Sequence, residues 1–294
     1  MNLHLLRIFV AVVEDRSFSR AAETLKISQP AVSKGVRELE SQLETTLLDR
    51  HGRSFQVSEP GQALYDYGRS IFALEREAQR TVAAFYGLDR GRLTIGASTT
   101  IATYWLPPLL AEFQRQHPDI EIRLVSENTK QIIELLIDCQ VDVALVEGQT
   151  VDTRVEARPW FNEEMVVIAA QRSHPGYSDE SRPLAEQVWV VREHGSGSRE
   201  ATEELFRSLG TTSPKMMEVG SNEAIVQTVA SGIGFGLVPR ICARDQLKLH
   251  RVRQLALDKR IINRQLYRVR LPHRTVSQAA IAFEALLATK APKV

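Results

Sequence analysis

The chain has few of the residues that would make it a metalloprotein, a disulfide scaffold or a membrane protein. Cys139 and Cys242 are its only cysteines, far apart and each in an apolar segment, so both read as small buried hydrophobes. The seven histidines are scattered without ligand spacing, and no metal site or cofactor is expected. No stretch approaches the roughly 20 apolar residues that cross a bilayer. Met1-Asn2-Leu3-His4 starts no signal peptide, because Glu14 and Asp15 interrupt the first apolar stripe, so a cytoplasmic location is expected. Catalytic signatures are missing too. Gly195 to Arg199 does not fit a nucleophile elbow, and the loop lacks the lysine of a phosphate-binding P-loop. Gly232-Ile233-Gly234-Phe235-Gly236 is one residue short of a dinucleotide fingerprint, so no catalytic residue is assigned. There is also no overall basic surplus: net charge is +1, and residues 1–57 hold eight Lys or Arg against seven Asp or Glu.

What is present is local. Residues 18–37 carry Arg20, Lys26, Lys34 and Arg37 against Glu23 alone. Ser17 can cap a helix that buries Phe18, Ala21, Ala22 and Leu25, the chain turns through Lys26 and Ile27, and Ser28 caps a second helix with Pro30 in its first turn. Val32, Val36, Leu39 and Leu43 form one apolar stripe of that helix, while Gln29, Ser33, Lys34 and Arg37 occupy its other face. Gln can pair with adenine, and Lys or Arg with guanine or phosphate. An earlier stripe, Leu3, Leu6, Val10 and Val13, closes a small core. Asp49 to Arg53 reads as a turn that carries Arg50 and Arg53, followed by an extended run, Ser54 to Val57. Together these predict a winged helix-turn-helix.

Residues 58–88 predict a long helix with Ser58 as its cap. Leu64, Tyr67, Ile71, Leu74, Ala78, Thr81, Phe85 and Leu88 form a heptad seam that needs a second helix to cover it, and Gly87 to Gly91 end the element. From residue 92 short β-branched runs alternate with helices, which predicts an α/β domain built on a parallel sheet.

The N-terminal residues resemble the LysR-type transcriptional regulators, most specifically over residues 18–53, and the resemblance continues along essentially the whole chain. It implies an N-terminal winged helix-turn-helix over residues 1–57 and a linker and dimerisation helix over 58–90. It also implies a C-terminal α/β two-lobed, periplasmic-binding-protein-like effector domain over 91–294. Lobe I would span about 91–161 and 268–294 and lobe II about 162–267, with hinges near Trp160–Glu163 and Asn263–Arg268. Ser28, Gln29, Pro30, Ser33, Lys34, Arg37, Arg50 and Arg53 would then meet DNA. The implied partners are double-stranded DNA with a pseudo-palindromic operator, a small-molecule or inorganic-anion effector, a second copy as homodimer or dimer of dimers, RNA polymerase as a further partner, and no membrane.

In such a two-lobed fold the ligand sits where strand ends meet helix starts. Three such places share small residues, hydroxyls and free backbone N–H groups: Ser98, Thr99 and Thr100; Gly195, Ser196, Gly197, Ser198 and Arg199; Ser221 and Asn222. That chemistry suits an oxyanion or carboxylate, and plain helix capping is the alternative. The segments around Thr100, Gly148, Ser198 and Ser221 resemble the sulfur- and inorganic-anion-responsive branch of the family, which suggests a sulfate- or sulfite-like effector. Glu147 complicates this. Facing the crevice, it repels an anion unless Arg199 or a water compensates, or it marks a ligand with a donor group, such as an amino acid.

Overall fold

The computed structural model describes residues 2–51, 54–84, 91–148, 152–171, 186–210, 215–255, 262–272, 274 and 276–290. The chain divides into two compact units, Met1–Ala78 and Gln79–Val294.

The first unit opens with three helices, α1 (Leu3–Asp15), α2 (Phe18–Leu25) and α3 (Gln29–Leu43), each ended by a residue in the left-handed region: Arg16, Lys26 and Glu44. The predicted caps form. Ser17 Oγ accepts from Arg20 N and Ser28 Oγ from Ala31 N. Ile8, Phe9, Val12, Ala21, Val32, Val36 and Leu39 make the shared core. Strands β1 (Leu48–His51) and β2 (Ser54–Val57) pair antiparallel as the wing, so Asp49, Arg50 and His51 lie in a strand and not in the turn expected for them. Strand geometry extends through His51 because Asp49 pairs Gln56 and Arg50 pairs Phe55. The Glu40 carboxylate accepts from Leu47 N at 2.9 Å and Leu48 N at 3.1 Å, which ties the wing to α3.

Helix α4 (Glu59–Ala84) starts as expected, with Ser58 Oγ accepting from Gly61 N, but the single seam predicted along it splits in two. Leu64, Ile71 and Phe72 pack into the first unit's own core, with Gly68 set so close to Val10 that a Cβ there would lie 2.7 Å from it. Arg7 of α1 stacks 4.2 Å over the Phe72 ring and pairs with Glu75. Tyr67 and Leu74 stay 72% and 65% exposed, and Val82 is exposed as well. The helix sits against the core off-centre of that stripe, so Phe72, outside the stripe, is buried while Tyr67 and Leu74, inside it, are not. Phe85 and Leu88 lie outside the described residues.

The second unit holds a mixed sheet, not the parallel one expected. β3 (Gly91–Ser98) pairs parallel with β4 (Ile120–Glu127) and β5 (Val143–Glu147). β6 (Glu156–Ala170), β7 (Val188–Arg192), β8 (Lys215–Val219), β9 (Phe235–Pro239), β10 (Val252–Leu255) and β11 (Ile262–Arg270) complete it. β7 is parallel to β8 and β9, whereas β6 and β11 run antiparallel to each other and to the strands beside them. The sheet is mixed because the chain crosses between its two halves twice, once in each direction, through β6 and β11. The Trp160–Glu163 stretch therefore lies inside a continuous strand, and β11 shifts register against β6 at Leu266–Tyr267. Strand β10 lies off the main strand order of the sheet. It pairs β6 antiparallel over Val252–Leu255.

The helices are α5 (Leu106–Gln116), α6 (Thr129–Ile137), α7 (Gly197–Ser208), α8 (Asn222–Ala230), α9 (Arg240–Lys248) and α10 (Gln278–Thr289). α5 is preceded by a helical start at Thr99 and a π turn over Ile101–Trp105. Alternate side chains of β6 serve opposite faces: Val166 and Ile168 pack with Ile225 and Val229, and Met165, Val167 and Ala169 with Trp189, Phe206 and Phe235. Burial on both faces explains the unbroken apolar run of this strand.

Candidate functional sites

On α3, Gln29, Pro30, Lys34 and Arg37 are exposed and Ser33 is half-buried, and with Glu38 they line one shallow depression. Val32, Val36 and Leu39 point the other way into the core, so the polar face is presented as its periodicity predicts. Ser28 is spent on the helix cap through its side chain. Arg50 lies in β1, and Arg53 falls outside the described residues.

In the second unit, the first turns of three helical segments meet. Asn222 at the start of α8, wholly buried, donates through Nδ2 to Thr100 Oγ1 at 2.8 Å and to Ser198 Oγ at 2.9 Å. Ser198 lies in the first turn of α7, and Thr100 in the helical start after β3. Ser198 Oγ also accepts from Arg264 Nη1 at 2.8 Å. That arginine, 5% exposed, donates to Glu147 Oε2 at 2.6 Å and pairs with Glu163, whose other oxygen accepts from Trp105 Nε1 at 2.7 Å. Burial pushes the Glu163 carboxyl above the usual carboxylate range, and Glu147 adds to the rise against the opposing pull of Arg264. Arg264 itself is held above its ordinary value, because its two carboxylate partners outweigh the burial that disfavours its charge.

The remaining expected residues divide between this cluster and ordinary structural duties. Ser98, at the end of β3, is buried with its hydroxyl unpartnered. Thr99 Oγ1 accepts from Arg192 Nη1 at 3.2 Å, and Arg192 holds Glu193 with two bonds of 2.8 Å. Gly195, at φ +88°, gives its carbonyl to Lys130 N, and Gly197 is packed so tightly that a Cβ would lie 2.6 Å from the Glu147 backbone oxygen. Ser196 and Ser221 are helix caps, accepting from Ser198 N and Ala224 N. Arg199 does not reach Glu147. It bonds Glu203 at 2.6 Å and the Arg192 carbonyl at 3.0 Å and lies 3.6 Å from Glu218, because its position on α7 points it along β7 and β8. The countercharge of Glu147 is Arg264 instead.

Arg264, Glu163, Trp105 and Arg192 were absent from the sequence-based site. The sequence did hold a signal for two of them. Glu163 shares the strand phase of Met165 and Val167, and Arg264 that of Leu266, so each is a charge at an inward position of an apolar strand. Cys139 and Cys242 are both buried, and burial pushes the Cys242 thiol well up, as expected of packing residues. Among the described residues no cluster of His, Cys, Asp and Glu could hold a metal, and no helix is long and apolar enough to cross a membrane.

Comparison with known proteins bears on both sites. Residues 3–62 match the family described as bacterial regulatory helix-turn-helix protein, lysR family, and residues 87–292 match the LysR substrate binding domain. The HTH-type transcriptional regulator CysL of Bacillus subtilis is 34% identical over 275 residues, 92% of each chain. The RuBisCO operon transcriptional regulator of Allochromatium vinosum is 34% identical over 297 residues, 100% of this chain and 98% of that one. The crystal structure of CbnR, a LysR family transcriptional regulator, shares the fold with a TM-score of 0.65 at 19% identity, covering 100% of both chains. With an exposed polar helix face in one unit, a buried polar cluster in the other and family matches covering both, this chain belongs to the LysR family of transcriptional regulators, a family of DNA-binding proteins and not of enzymes.

Proposed function

We propose that this regulator senses a small oxyanion or carboxylate in the crevice formed by Ser98, Thr99, Thr100, Glu147, Ser198, Asn222 and Arg264. The observation that carries this is Asn222, which joins the first turns of three helical segments into one polar cluster. Helix starts present free N–H groups and a positive end, which favour an anion. Glu147 favours a second reading, a ligand with an ammonium group, because it places an acceptor in the same cluster.

On this proposal residues 1–57 read DNA, 58–90 join copies and 91–294 bind the effector. Gln29, Pro30, Ser33, Lys34 and Arg37 enter the major groove, while Ser28, Arg50 and Arg53 meet the backbone. The exposed Tyr67, Leu74 and Val82 of α4 support assembly of a homodimer or dimer of dimers on a pseudo-palindromic operator. As a regulator matching a bacterial family, the chain works in the cytoplasm on this proposal. Effector binding favours one arrangement of the lobes, and the signal reaches DNA as a change in head spacing and bending.

The test is a thermal-shift panel on the full chain with sulfate, sulfite, phosphate, short carboxylates and amino acids. A selective rise with an oxyanion or carboxylate, lost in Thr100→Ala and Ser198→Ala, supports the reading. A rise with amino acids alone removes it in favour of the ammonium ligand.

A further inference from the structure

Glu147 is 2% exposed, and its two oxygens are unequal: Oε2 accepts from Arg264, while Oε1 is buried without a partner. Ser98 Oγ and Asn222 Oδ1 are buried without partners as well. A hydrogen-bond chain runs through this group from Glu147 to Arg264, Ser198, Asn222 and Thr100. An ionised carboxylate only accepts, so Oε1 calls for a donor from whatever fills the crevice.

We infer that the crevice selects an oxyanion that still carries a proton near neutral pH, of the hydrogenphosphate or hydrogen sulfite type, and rejects sulfate, with Glu147 Oε1 accepting the ligand's O–H. The inference rests on the crevice being the effector site. The anionic oxygens of such a ligand meet the helix starts at Thr99, Ser198 and Asn222 and the guanidinium of Arg264, while its one hydroxyl meets Glu147. Sulfate has four acceptor oxygens and no proton, so one of them faces the carboxylate oxygen with nothing between. An ammonium ligand satisfies Glu147 but fares worse elsewhere. It lies beside the Arg264 guanidinium and three helix starts, each worth about half a positive charge.

The charged groups around Glu147 are Arg264 on β11, Glu163 on β6 and Glu200 on α7, with the Cys242 thiol on α9 more remote. Glu163 is paired with Arg264, and Glu200 is held above the usual carboxylate range, chiefly by desolvation. A Cβ at Gly197 would strike the Glu147 backbone, so glycine lets the α7 start approach the end of β5.

The test is calorimetric titration of the full chain with inorganic phosphate, sulfite, sulfate, glycine and arginine, below, at and above neutral pH. Phosphate or sulfite should bind at least about tenfold tighter than sulfate, the scale of one hydrogen bond to a charged acceptor. Sulfite affinity should fall as pH rises through its second ionisation, while sulfate affinity stays flat. E147Q, whose amide can also donate, should narrow the gap by strengthening sulfate. If that variant does not fold, the wild-type pH comparison decides alone. Sulfate binding as tightly as phosphate and sulfite overturns the inference and leaves an oxyanion site. Binding of glycine or arginine with no oxyanion bound overturns the inference and the oxyanion reading together.

Discussion

Arg264 and Glu147 form an ion pair of 2.6 Å with side chains only 3% and 2% exposed, at the point where β11 and β5 pair. Such a pair is seldom a source of net stability, because desolvation of both charges consumes most of the attraction, but breaking it by removing one partner is costly. Arg264→Met leaves Glu147 and Glu163 facing each other without a countercharge and should cost about 3–5 kcal/mol by urea denaturation. Adding Glu147→Gln and Glu163→Gln to that variant should restore much of the loss while ligand binding stays absent. A single substitution with unchanged stability would remove the ion pair from this account.

Gly197→Ala tests how closely α7 must approach β5. The added methyl would lie 2.6 Å from the Glu147 backbone oxygen, an atom that cannot swing away. The α7 start has to shift, carrying Ser198 off Asn222 and Arg264, so both stability and effector affinity should fall in thermal-shift and titration measurements. Gly210→Ala, at a site with open space but a positive φ of 67°, is the control: it should cost stability through backbone strain and leave affinity intact.

Glu200 gives a pH dependence with a definite sign. Desolvation first, and then the neighbouring Glu203 and Glu147, hold its carboxyl above the usual range. In the window between its ordinary value and the raised one, the folded state keeps a proton that the unfolded state has released. Stability contributed at this position therefore falls as pH rises through the window and is lost above it. Glu200→Gln should flatten that fall and raise the melting temperature at neutral pH. A steeper fall in the variant would mean the carboxylate is stabilised in the fold, contrary to the surroundings described.

Lys34 and Arg37 should divide base reading from phosphate contact. A residue that neutralises one phosphate contributes about 0.9 to the slope of log affinity against log salt concentration. Replacing each by Ala and measuring operator affinity by fluorescence anisotropy over a salt series should lower the slope by about one where phosphate is the target. Unchanged slope with lost sequence preference would assign that residue to a base edge.

The helix-turn-helix was legible because its signals are local. Ser17 and Ser28 cap as their spacing predicts, and the Val32, Val36 and Leu39 stripe faces the core. The alternation of strands and helices in the second unit was legible for the same reason. The long helix was legible as a helix but not in its packing, since nothing local tells that Phe72 and Gly68 turn toward α1 while Leu74 stays exposed. The three helix starts were found from their hydroxyls and glycines. Arg264 was missed because its partners lie 117 and 101 residues away and only the crossing strands bring them together. Arg199 was expected to face Glu147 because it follows Ser196 and Ser198 in sequence, yet the helix turns it toward Glu203.

The most direct test of the central claim is a selection of binding sites by the full chain from a random duplex library, with and without inorganic phosphate or sulfite. The account predicts an enriched motif with two inverted half-sites about one helical turn or a multiple apart, lost in Arg37→Ala, whose enrichment or spacing changes when the anion is added. Recovery of no motif, or of one indifferent to Arg37, would contradict it.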